Sequence, residues 1–196
     1  MKIAVIGTGY VGLVSGTCFS EFGHQVVCVD KDAAKIDALK QGIIPIYEPG
    51  LDSMVARNHA GGQLDFTTDL AEAMNGAEAV FIAVGTPSRR GDGHADLQYV
   101  FAAVEELASY IKSFTVVVTK STVPVGTGAE IKKRLSAKLD QSLFSVASNP
   151  EFLREGAAIE DFMRPDRVVV GVEDDRSKEV MRELYRPLYI NEPPIL

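Results

Sequence analysis

Short apolar runs rich in β-branched residues recur along the chain: "KIAVIG" (2–7), "QVVCVD" (25–30), "LDFTT" (64–68), "AVFIAV" (79–84), "TVVVTKS" (115–121), "FSVAS" (144–148) and "RVVVGV" (167–172). Several are almost continuously hydrophobic, as strands covered on both faces are. Between most of them the apolar positions fall three or four apart, as in Val100, Val104, Leu107, Ala108 and Ile111, which is the spacing of a helix with one buried stripe. Strand alternating with helix predicts an α/β fold, a doubly wound, mostly parallel sheet with helices on both faces. No repeat, low-complexity tract or linker divides the chain, so residues 1–196 read as one domain.

Three of the predicted strands end alike. "VGTP" (84–87), "KSTVP" (120–124) and "SNP" (148–150) each set hydroxyl or amide side chains just before a proline. Proline cannot donate to a ladder and drives the preceding residue out of the helical region, so each strand stops there. All three breaks then fall at the carboxyl edge of the sheet, where open α/β sheets bind ligands.

"GTGYVG" (7–12) is a GxGxxG pattern, and its context makes it specific. It follows a strand, opens a helical pattern at Val11, Val14, Thr17, Cys18 and Phe22, and precedes a second strand that ends in Asp30. In a Rossmann-type fold Gly7 makes the tight turn, Gly9 lets backbone approach a pyrophosphate, and Gly12 lets helix and sheet pack closely. Asp30 stands where a carboxylate accepts from the adenosine ribose hydroxyls and repels a 2′-phosphate, which favours NAD over NADP. Lys31 and Lys35 act weakly against that preference.

A net charge of −7 and a pI near 5.0 disfavour the basic face that nucleic acid or an anionic membrane would need. A pyrophosphate must instead be held locally, by the free N–H groups and dipole of a helix N-terminus. No apolar run reaches the ~18 residues of a membrane span, and glycines interrupt the hydrophobic N-terminus without a cleavage site. The chain therefore reads as cytoplasmic. Cys18 and Cys28 form no CxxC pair and lie near no cluster of His24, His59 and His94. The cysteines read as small buried residues and the histidines as surface or turn residues, with no metal site.

"NPEFLREG" (149–156) carries Glu151 and Glu155. Pro150 suits the first turn of a helix, and a four-residue spacing would put both carboxylates on one helical face. At the ligand edge of the sheet such a carboxylate can serve as a general base.

The fingerprint, "YEPGL" (47–51), "VGTP", "KSTVPVG" (120–126) and "NPEFLREG", in this order and spacing, resemble the UDP-glucose/GDP-mannose dehydrogenase family over essentially the whole chain. The resemblance implies oxidation of a sugar C6 hydroxyl to a carboxylate in two NAD-dependent steps, through an aldehyde and a cysteine thioester. It implies NAD contacts from Gly7, Gly9, Tyr10, Val11, Gly12, Asp30, Lys35, Thr86 and Thr122. The peptide Glu151, Phe152, Leu153, Arg154 and Glu155 would meet the nucleotide sugar. Glu151 would be the base, acting with Thr122 and an ordered water, and Glu155 would lie near the nicotinamide.

In that family the nucleophilic cysteine belongs to a second, UDP-sugar-binding domain reached through a long helix, and the full-length enzyme is a homo-oligomer. Cys18 and Cys28 do not match it, and at "NEPPIL" (191–196) the pattern suggests a strand just beginning. The chain is thus expected to be the N-terminal NAD domain of a longer enzyme, with UDP-glucose ranked ahead of GDP-mannose and UDP-N-acetylmannosamine. A single-step hydroxyacid dehydrogenase and a non-catalytic NAD-sensing module are the competing readings. "SRRGDG" (88–93) reads as a solvated loop in which Arg89 and Arg90 could reach a phosphate, and "EDDRSKE" (173–179) as the capped start of the last helix.

Overall fold

The computed structural model describes residues 1–89 and 95–191. Arg90, His94 and most of "NEPPIL" lie outside the described residues, and with them the readings made there.

In chain order the elements are β1 (Lys2–Ile6), α1 (Tyr10–Glu21), β2 (Gln25–Val29), α2 (Ala33–Lys40), α3 (Leu51–Ala60), β3 (Leu64–Thr67), α4 (Leu70–Met74) and β4 (Ala79–Ile82). Then follow α5 (Gln98–Leu107), β5 (Thr115–Thr119), α6 (Thr127–Ser136), β6 (Phe144–Ser148), α7 (Ala158–Met163), β7 (Gly171–Val172) and α8 (Asp175–Tyr185). The strands form one sheet in the order β3-β2-β1-β4-β5-β6-β7, parallel except for the last pair. The first six stand in the order of the dinucleotide-binding doubly wound fold, which opens a crevice between β1 and β4 where the winding reverses.

Strand residues alternate between two cores. Ile3, Val5, Ala79, Phe81, Val116 and Val118 face the layer formed with α1, α3, α7 and α8. Ala4, Val80, Ile82 and Val117 face the layer that includes α4, α5 and α6. β4 and β5 are buried on both sides, and their sequences are apolar except for Thr115 and Thr119 at the two ends of β5. Phe19 anchors the first layer, its ring 4.9 Å from Phe81 and 5.1 Å from Phe162, distances at which edge and tilted aromatic contacts are favourable.

Three expectations need correction. "RVVVGV" yields a single bridge residue, Val168, and a strand of two residues, Gly171 and Val172, paired antiparallel with β6. Val168 is buried, and at Val169 the carbonyl accepts from Asn149 Nδ2 at 2.9 Å, so there a side chain takes the place of a ladder partner. "NPEFLREG" does not open a helix: residues 151–154 are irregular, a turn covers 155–157, and α7 begins at Ala158. His24 is buried rather than on the surface, with Nε2 2.8 Å from the Leu184 carbonyl oxygen, and burial lowers its pKa. The "EDDRSKE" reading holds, since Asp174 accepts from the Ser177 N–H and caps α8.

Candidate functional site

The glycines of the first turn have distinct physical duties. Gly7 sits at φ +102°, its N–H donates to Val29 O at 2.8 Å, and a Cβ there would lie 2.7 Å from Ala83 O. A Cβ on Gly12 would fall 1.9 Å from Gly7 O and 3.2 Å from the Ala83 side chain, so α1 rests on the sheet only because that atom is absent. Gly9 precedes the first residue of α1, and a Cβ there would meet nothing within 4 Å. Its open side faces a hollow of about 680 Å³ at the carboxyl edge, lined among others by Gly7, Gly9, Asp30, Lys35, Gly85 and Tyr99. That volume is typical of small-molecule and cofactor sites.

Asp30 directly follows β2 at the rim of this hollow. Its Oδ2 accepts from Thr8 N at 2.9 Å, Thr8 Oγ1 at 2.7 Å and Lys35 Nζ at 3.1 Å, while among the described residues Oδ1 accepts only from Asp32 N at 3.1 Å. Burial by itself would raise the Asp30 pKa, but these donors outweigh it and hold the carboxyl down at about 2. Oδ1 keeps acceptor capacity for a further hydroxyl. Lys31 and Glu106 also line the hollow and pair with each other at 2.8 Å. A glycine cradle, a helix N-terminus and a carboxylate with a vacant lone pair suit the diphosphate and ribose of NAD.

Thr86 and Thr122 follow β4 and β5 on the same rim, where Ser121 Oγ donates to Val84 O at 2.8 Å and ties the two strand ends together. Val84 and Gly85 line the hollow, whereas Thr86, Thr122, Tyr10 and Val11 do not. Val11 packs on the core, and Thr122 is exposed.

The acidic peptide lies further along this edge, past β6. Glu151 is partly buried, and its Oε2 is shielded from solvent without a hydrogen-bond partner. It lines a cavity of about 50 Å³ with Lys120, Asn149, Asp161 and Tyr185, room enough for water. Glu155 and Phe152 are exposed, and Leu153 packs on the core. Arg154 is committed elsewhere: its Nη2 is 2.6 Å from Asp161 Oδ1 and its backbone N–H donates to Asp161 Oδ2 at 2.8 Å.

Two charged residues that sequence reasoning left without a role organise this region. Lys120, only 3% exposed, donates to Asn149 Oδ1 at 3.0 Å and to Tyr185 OH at 3.3 Å, with Phe162 5.4 Å from its nitrogen. Burial pulls its pKa down to about 8 against the upward pull of Glu151. Tyr185 OH donates to the same Asn149 Oδ1 at 2.5 Å, and Asn149 N–H to Thr119 O at 2.9 Å. Asn149 therefore holds the start of the peptide rigidly. Glu48, from "YEPGL", is 6% exposed and accepts from Tyr10 OH, from Gly156 N at 2.8 Å and from Ile159 N at 3.3 Å. Burial and the Glu48 carboxylate push the Tyr10 phenol up to about 12, so it remains a donor at neutral pH. The signal for both was a charged residue inside a quoted motif.

Neither cysteine is poised as a nucleophile. Cys18 and Cys28 are wholly buried, and burial pushes each thiol up to about 12, whereas reactive thiols are depressed and accessible. Among the described residues no cluster of three or more His, Cys, Asp or Glu could hold a metal ion, and no helix is long and apolar enough to cross a membrane.

Comparison with known proteins agrees with this geometry. Residues 1–189 match the model of the UDP-glucose/GDP-mannose dehydrogenase family, NAD binding domain. A UDP-glucose 6-dehydrogenase of Rhizobium meliloti is 64% identical over 100% of this chain and 45% of its own length, and the Bacillus subtilis UDP-glucose 6-dehydrogenase YwqF is 50% identical over 97% and 43%. A solved UDP-glucose dehydrogenase from Pyrobaculum islandicum superposes with a TM-score of 0.93 at 41% identity, covering 100% of this chain and 45% of that one. A GDP-mannose dehydrogenase from Pseudomonas aeruginosa does so with the same TM-score at 38% identity, over 100% and 46%. The chain spans less than half the length of these relatives. It belongs to the UDP-glucose/GDP-mannose dehydrogenase family, within which it corresponds to the NAD-binding domain.

Proposed function

We propose that this chain is the NAD-binding half of an enzyme that oxidises the C6 hydroxyl of a nucleotide sugar, UDP-glucose first among them, to the carboxylate. The observation that carries the reading is the placement on one sheet edge of a glycine-lined hollow and a partly buried carboxylate with an unpartnered oxygen, Glu151 Oε2. The names of the relatives support the substrate.

Bound NAD supplies the hydride acceptor. Gly9, Tyr10, Val11 and Gly12 would offer backbone N–H groups and space to its diphosphate, Gly7 would shape the turn with its own N–H held by Val29 O, Asp30 Oδ1 would accept from a ribose hydroxyl, and Lys35 steadies that carboxylate. Thr86 and Thr122 close the rim where β4 and β5 end. Glu151 takes the proton from the sugar hydroxyl through a water held with Thr122, because hydride departure is easiest when the hydroxyl proton has an acceptor. Glu155 stands on the cofactor side of the peptide, and the backbone of Phe152, Leu153 and Arg154 meets the sugar.

The second oxidation needs a thiol to capture the aldehyde, and the inert Cys18 and Cys28 cannot provide it. With the nucleophile and much of the sugar recognition expected on a second domain, the chain alone should bind NAD without turnover. Absorbance at the NADH band after mixing the 196-residue chain with NAD and UDP-glucose tests this. A sustained rise would overturn it, and a flat trace with demonstrable NAD binding is the expected result.

A further inference from the structure

Glu48 lies in the irregular stretch between α2 and α3, yet its carboxylate is buried and engaged on both oxygens. Burying a carboxylate is costly unless donors meet it. Here the donors come from two parts of the molecule that share no element. Tyr10 is the first residue of α1, directly after Gly9 in the nucleotide turn, and its hydroxyl donates to Glu48 Oε2. Gly156, directly after Glu155, donates to the same Oε2 at 2.8 Å, and Ile159 donates to Oε1 at 3.3 Å. The Gly156 N–H also lies 3.1 Å from Tyr10 OH, so phenol, carboxylate and amide form one cluster.

Simple capping of α7 does not account for the arrangement. A cap needs only the carboxylate and the amides of Gly156 and Ile159; the Tyr10 hydroxyl is a second acceptor for the Gly156 N–H, but its own proton goes to Glu48, outside that helix. What it adds is a connection to the glycine turn. The same hydroxyl lies 3.4 Å from the Arg154 carbonyl oxygen, a second acceptor on the acidic peptide itself.

We propose that Glu48 is a positioning residue that joins the two halves of the site, so that cofactor binding at the glycine turn and placement of the acidic peptide are coupled through Tyr10 OH, Glu48 and the Gly156 N–H. A dinucleotide that orders the Gly9–Tyr10 backbone fixes the direction of the Tyr10 ring, which favours its bond to Glu48 and thereby the closed arrangement at Gly156. By linkage, the peptide held in place raises affinity for the dinucleotide by the same factor. The inference rests on NAD binding by this domain and does not depend on the role of Glu151.

Amide hydrogen exchange on the isotopically labelled 196-residue chain, read residue by residue by NMR with and without saturating NAD, tests the coupling. In the parent, NAD is expected to slow exchange at Gly156 and Ile159 by about tenfold. Tyr10→Phe removes the hydroxyl and leaves both Glu48–amide bonds intact. At NAD saturation its protection gain at Gly156 should fall below about twofold, while Ile159 stays as protected as in the ligand-free parent. Glu48→Gln, which leaves one side-chain oxygen to serve the three donors, should speed exchange at both amides before NAD is added. An undiminished gain at Gly156 in Tyr10→Phe, or no NAD-dependent change at Gly156 in the parent, would overturn the proposal. Should Glu48→Gln not fold, the Tyr10→Phe comparison decides alone.

Discussion

The Asp30 carboxylate accepts both the backbone N–H and the hydroxyl of Thr8, at 2.9 and 2.7 Å. The carboxylate proposed to meet the ribose is thus bolted to the glycine turn proposed to meet the diphosphate, and Lys35 braces it from α2 at 3.1 Å.

Removing this carboxylate should therefore cost more NAD affinity than removing the acid at the other end of the site. Asp30→Ala is expected to weaken NAD by about 2 kcal/mol or more, because it deletes a charged acceptor and frees the turn. Glu151→Ala should change affinity by less than about 0.5 kcal/mol, as expected for a side chain whose work comes at the chemical step. Calorimetric titration of both variants checks this, and equal losses would contradict the assignment.

Asp30 also predicts an acid limb of stability. Its folded pKa of about 2 lies below the ~3.9 of an unfolded aspartate. The unfolded chain thus binds the proton more readily as pH falls, and the stabilisation is full above pH ~4 and lost on descending toward pH 2. On the order of 2 kcal/mol should vanish across that window in the parent and not in Asp30→Asn, as read by urea unfolding at stepped pH.

Gly9 and Gly12 should separate binding from folding. Gly12→Ala forces a Cβ to within 1.9 Å of Gly7 O, an overpacking expected to cost roughly 2 kcal/mol or more in chemical denaturation. Gly9→Ala meets no protein atom within 4 Å and should leave unfolding free energy within about 0.5 kcal/mol. Its new methyl projects into the hollow, so NAD affinity should drop all the same. A Gly9→Ala chain that binds NAD as the parent does would place the diphosphate elsewhere.

These glycines were legible from sequence because each demand is local: a positive φ, a close approach, a helix starting against a strand. The fold was legible for a similar reason, since β4 and β5 carry their burial on both faces in their own composition. What escaped depends on distant partners. Pro150 and the acids after it imitate a helix start, but Gly156 takes φ +86° and is held by Glu48, 108 residues earlier in the chain. Lys120 at the end of an apolar strand resembles a solvated end residue until Tyr185, 65 residues later, closes over it.

Lys120 offers a second test through pH. Its folded pKa of about 8 lies below the ~10.4 of an unfolded lysine, so between these values the unfolded chain holds more protons and stability rises with pH. Cys18 and Cys28, with thiols at about 12, push the other way, so the informative quantity is the difference between parent and Lys120→Met. The parent should gain on the order of 2 kcal/mol relative to the variant from pH 8 to pH 10 in paired denaturation curves. A constant difference would show that Lys120 is not buried as a cation.

The central claim is that the hollow between the glycine turn, Asp30 and the end of β4 is where this domain holds NAD. Amide chemical shifts recorded during an NAD titration of the 196-residue chain test it most directly. The account predicts saturable shifts concentrated at Gly7–Gly12, Asp30–Lys35 and Val84–Thr86. Saturable shifts centred elsewhere, such as the groove lined by Glu78, Glu179 and Arg186, or no saturable shifts at all, would contradict it.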